Sequence, residues 1–103
     1  MEYKIERILH SGSNGIIRGI DRTGGRYPMR IGRTVDLELK NITVGEPLYL
    51  KYIKDSDGSD YHGILCTSRV VNFDCTYDKS GNWIKIETLN SIFILKALFI
   101  END

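Results

Sequence analysis

Five arginines, Arg18, Arg22, Arg26, Arg30 and Arg33, fall within sixteen residues, with Asp21 as the only acid among them. Arginine presents a planar fork of donors that suits phosphate or carboxylate. Tyr27 lies inside the cluster, and a ring beside arginines can stack a nucleic-acid base. These residues and Tyr49 are the candidate contacts for an anion, or for RNA or single-stranded DNA. Tyr52, Tyr61, Phe73, Tyr77 and Trp83 would widen a stacking platform on a barrel surface. Alternation turns Tyr52 and Phe73 inward, which leaves Tyr49 and Tyr77 as the exposed pair.

Other chemistry finds little support. His10, His62, Cys66 and Cys75 are the only soft metal ligands, and none forms the close pair that zinc prefers. Asp55, Asp57 and Asp60 around Gly58 resemble an oxygen-rich calcium loop, but Tyr61, His62 and Gly63 follow where a bidentate Glu is needed. A polar hairpin tip accounts for them better. No serine sits in a Gly-x-Ser-x-Gly elbow, and no Gly-Lys-Ser or Gly-Lys-Thr follows the glycines at Gly12 to Gly25. The expectation is therefore a protein without catalytic, metal or cofactor-binding residues.

Charge is balanced overall, with fourteen basic and fourteen acidic residues. No whole-molecule field draws the chain to nucleic acid or to an anionic membrane. The balance is uneven along the chain: residues 1–33 carry seven basic and three acidic side chains, residues 34–68 three basic and six acidic. No run approaches the roughly 18 apolar residues of a membrane span. Two cysteines are too few for a disulfide scaffold. A cytoplasmic protein with no membrane partner is expected.

The elements that must position these residues read as strands. Trp83–Leu89 and Ile92–Leu98 flank Asn90-Ser91 as a hairpin, with Leu89 opposite Ile92. Ile84, Ile86, Thr88, Phe93, Leu95 and Ala97 then share one face, and Lys85, Glu87 and Lys96 the other. Ile16–Thr23 and Arg26–Gly32 form a second hairpin around Gly24-Gly25, its second strand an edge because Pro28 cannot donate to a ladder. In that pairing the arginines divide between two faces. Residues 2–9 show both alternation and the helical spacing of Ile5, Ile8 and Leu9, and are assigned to a strand in an otherwise β chain. Thr34–Leu39, Leu48–Ile53 and Tyr61–Phe73 complete the set.

About seven short strands in 103 residues make one all-β domain over residues 1–103. A small closed or partly open barrel of SH3-like or OB-like kind is expected, with a two-sheet sandwich as the alternative. The expected role is a non-catalytic binding module acting on a protein partner or on itself as a homo-oligomer. Nucleic-acid binding through the arginine hairpin is the alternative, and a small enzyme comes third.

Overall fold

The computed structural model describes residues 1–75 and 82–98. Six antiparallel strands close into a ring: β1 (Glu2–His10), β2 (Thr34–Asp36), β3 (Pro47–Lys54), β4 (Asp60–Asp74), β5 (Trp83–Thr88) and β6 (Ser91–Ala97). Neighbours in sequence are neighbours in the ring, and β6 returns to pair with β1. The alternative of two stacked sheets is thereby excluded. The only α-helix among the described residues is one turn, α1 (Tyr27–Arg30). No described helix is long and apolar enough to cross a membrane.

Alternation explains most of the ring. Leu48, Leu50 and Tyr52 of β3 are buried while Pro47, Tyr49 and Lys51 between them are exposed. On β5 and β6 the six residues expected to share the inner face are all buried. Ile5, Leu50, Ile86 and Leu95 are wholly inaccessible and meet at the centre of the core. Each such burial contributes about 1.5–3 kcal/mol.

The mixed spacing of the first strand has a local cause. Ile5 pairs with Leu95, but the next pair is Arg7 with Ile94, so Glu6 is an extra residue in a β-bulge. Ile8 thus follows Ile5 into the core three positions on, and Leu9 turns outward. There Leu9, Ile92 and Ile94 form a second buried cluster against Trp83.

Four expectations need correction. Residues 16–32 do not form a hairpin; the only bridge there joins Leu9 to Asp21. Pro28 sits in the first turn of α1, where its fixed φ and missing N–H do no harm. Gly15, Gly19, Gly25 and Gly32 all have positive φ, which interrupts any extended run. The strand after it stops at Asp36, and Leu39 lies in a 3-10 turn, 37% exposed. Among the described residues the count is therefore six strands, against about seven expected. Finally, the β5–β6 turn is Leu89-Asn90, because Glu87, not Leu89, pairs with Ile92. Thr88 closes it: its hydroxyl accepts the Ser91 N–H at 3.1 Å and donates to the Ser91 carbonyl at 3.2 Å. The register moves by two, so every side chain keeps its face. Tyr77 and most of the turn expected at Asp78–Asn82 lie outside the described residues.

Candidate anion-binding cleft

β4 serves two partners in succession. Asp60 to Arg69 pairs with β3, and only Val70 to Asp74 pairs with β5. Its first half therefore has one side not taken by β5. The long excursion between β1 and β2 runs past that side and leaves a cleft between them. Gly19 to Arg22 runs along the end of β1, with His10 N–H donating to the Ile20 carbonyl at 2.8 Å and Arg22 N–H to the Ile8 carbonyl at 2.9 Å. α1 follows, and Tyr27 packs against the barrel core.

Between α1 and β4 lies a pocket of about 460 Å³. Arg26, Met29, Arg30 and Arg33 line one side, and Tyr52, Tyr61 and Gly63 to Leu65 the other. Arg33 is the anchor. It is 8% exposed, with its guanidinium 4.9 Å from the Tyr52 ring centre and 4.3 Å from that of Tyr61. The two rings meet edge to face at 5.3 Å. Arg33 Nε donates to Asp55 Oδ1 at 3.2 Å. Burial works against its charge, but Tyr52, Asp55 and nearby Tyr61 outweigh that and hold it charged more firmly than an ordinary guanidinium. The Asp55 carboxyl lies below its usual value, first through the Ser56 N–H and then through Arg33.

The Tyr52 hydroxyl is buried and, among the described residues, lacks a well-formed hydrogen bond, even though its oxygen lies near enough to Arg33 to favour the charge. A buried polar group left so costs about 1–3 kcal/mol. Neither Arg26 nor Arg30 has a carboxylate partner among the described residues. Three guanidiniums thus line the pocket, and the one carboxylate bonded to them, that of Asp55, is outside its lining.

Gly32 fixes the approach of Arg33 to the β3–β4 hairpin. Its φ is 88°, and a Cβ there would lie 3.1 Å from that of Ser56. Gly32→Ala should cost about 1–2 kcal/mol from the left-handed backbone alone, read as a lower urea midpoint.

The seven candidate residues do not converge as one patch. Arg26, Arg30 and Arg33 line the pocket. Arg22 and Arg30 take up the Tyr27 ring, at 4.1 and 5.0 Å from its centre. Arg22 also donates to the Asn90 carbonyl at 2.5 Å and to Ser91 Oγ at 2.9 Å. Tyr49 is 64% exposed in β3 opposite Cys66, and does not line the pocket. Arg18 lies elsewhere, bound through both terminal nitrogens to Glu87.

That last pair has a pH signature. Arg18 holds the Glu87 carboxyl below its ordinary value of 4.5. A carboxylate with a lowered folded pKa stabilises the fold above its unfolded value, and the benefit is lost as pH falls through the lowered one. The stability gap between wild type and Glu87→Gln should be full at neutral pH and shrink in acid below about 4.5. Urea midpoints across that range measure it.

Tyr52 and Tyr61, expected only as members of a stacking platform, are the rings that hold Arg33. A signal was present: Arg33 is in phase with Val35 and Leu37, whose side chains are buried. An arginine in an inward phase needs aromatic faces and an acid to accommodate it. Elsewhere the acidic residues are engaged locally. Asp57 accepts from the Ser59 N–H and hydroxyl, at 2.9 and 2.6 Å, and Lys54 reaches Asp60 at 3.9 Å. No group of three His, Cys, Asp or Glu residues gathers as metal ligands among the described residues.

Comparison with protein-family models, with curated proteins and with solved structures finds no match to this chain.

Proposed function

We propose that the protein is a non-catalytic binding module that captures an anionic group, carboxylate or phosphate, in the cleft between α1 and β4. The observation that carries this is the convergence of Arg26, Arg30 and Arg33 on one pocket that no described carboxylate lines, with Asp55 bonded to Arg33 behind it. Guanidiniums gathered around one pocket repel one another unless an anion or solvent screens them. Arginine's fork suits a bidentate oxyanion.

Base stacking receives less support. The Tyr27 and Tyr61 rings already hold arginines, and Tyr49 stands apart from the pocket. A cytoplasmic setting belongs to the same proposal: Cys66 and Cys75 are free thiols, as a reducing compartment would keep them.

Titration with inorganic phosphate at low salt, followed by backbone amide shifts, tests the proposal. Saturable shifts should gather at residues 26–33 and 61–65, and weaken in Arg26→Ala/Arg30→Ala. Salt should compete with the binding. Shifts scattered over the surface, or none, would overturn it.

A further inference from the structure

The β4 edge that borders the cleft has backbone groups to spare. From Gly63 to Cys66, β4 pairs with β3 on one side. In an antiparallel pair, alternate residues turn their N–H and C=O away from the partner. Among the described residues no backbone group meets them there. The first contacts come further on, where Asn90 N–H donates to Ser68 Oγ at 3.1 Å and Leu89 N–H to the Arg69 carbonyl at 3.0 Å.

The cleft follows this edge. Past Arg30 and Leu65, which border both, the pocket continues into a narrower space of about 140 Å³ beside Cys66, Thr67 and Ser68. It ends at Asn90 and Ser91. One wall is thus a strand edge running from Gly63 to Ser68, roughly 17 Å at ~3.3 Å per residue. The facing wall carries Arg26 and Arg30, neither with a carboxylate partner among the described residues.

Building on the anion-binding role proposed above, we infer that the occupant is an acidic peptide segment in extended conformation, added as a strand along the free edge of β4. Strand addition draws affinity from main-chain hydrogen bonds and specificity from side chains. Here the main-chain bonds go to Gly63–Thr67 and the peptide carboxylates to Arg26 and Arg30. A second copy of this chain would bring arginines against arginines. A nucleic-acid strand has no peptide ladder with which to meet the edge.

The probe is a labelled seven-residue peptide of alternating Val and Glu, read by fluorescence anisotropy. Two variants carry N-methyl groups on alternate amides, one in each register, and a third replaces Glu by Lys. The acidic peptide should bind, and the Lys peptide should not. N-methylation in one register should weaken binding about tenfold, and in the other leave it unchanged. The amides of residues 63–67 should gain protection from hydrogen exchange on binding. Equal binding of both N-methylated peptides and their parent would overturn strand addition. If phosphate still maps to the cleft in that case, the anion site stands and only the ladder is wrong. If neither phosphate nor peptide binds, both fall. Tighter binding of single-stranded DNA that displaces the peptide would also overturn the inference, in favour of a nucleic-acid ligand.

Discussion

Ile86→Ala and Leu95→Ala are each expected to cost about 2–5 kcal/mol, while Lys85→Ala changes stability by no more than about 0.5 kcal/mol. Ile86 and Leu95 are wholly inaccessible on adjacent strands, within the cluster that also takes in Ile5 and Leu50. Removing either opens a cavity that the sheet is poorly able to collapse, since β5 and β6 are each held on both sides. Lys85 points outward between them, so its loss leaves the core filled. Urea midpoints with unchanged m-values would measure the difference. The reverse ranking would mean that the faces of β5 are exchanged.

The second large effect is at Arg33. Arg33→Ala should lower stability by about 1–3 kcal/mol and abolish phosphate binding in the cleft. The side chain fills the space beside Tyr52 and Tyr61 and bonds Asp55, so truncation removes packing, two ring contacts and an acid's partner together. Arg33→Lys should recover part of the stability and little of the binding, because an ammonium keeps the charge but not the planar stack or the fork. Urea unfolding and phosphate titration of both variants separate the two losses. Full binding by Arg33→Ala would place the anion elsewhere.

What the sequence made legible follows from where alternation holds. β3 and β5 each bury one face, so period two assigns their side chains without knowledge of partners, whereas β6 is buried on both faces, with Ile92 and Ile94 in the outer cluster. The final hairpin kept its faces although its register differs by two, because the Thr88 hydroxyl bonds that set the turn leave no mark on periodicity. Residues 16–32 were misread for a different reason. Gly24-Gly25 between β-prone residues has the outward form of a hairpin, but what decides the path is the sign of φ at Gly19, Gly25 and Gly32, and sequence does not display it.

The candidate site was half visible in the same sense. The arginine cluster is evident in composition, yet its division is not. Arg18 goes to Glu87 and Arg33 to Tyr52 and Tyr61, and each choice depends on which distant strand lies alongside. Tyr61 reaches Arg33 only because β4 is paired to β3 from Asp60 onward. Long-range register of this kind is the information a single chain's local pattern lacks.

The excursion between His10 and Thr34 is of a length that ordinarily wanders. This one is fastened at its start, its middle and beyond: the Ser11 hydroxyl donates to the Leu89 carbonyl at 2.5 Å, Arg18 grips Glu87, and Arg22 holds Asn90 and Ser91. All of these fastenings end on or beside the β5–β6 turn, at the far end of the cleft from Arg26. The arginine wall is therefore pre-organised. A ligand arriving in the cleft need not order the loop that receives it, so little of the interaction energy is lost to conformational entropy. Loosening the β5–β6 turn should then weaken capture by slackening the wall that carries Arg26 and Arg30.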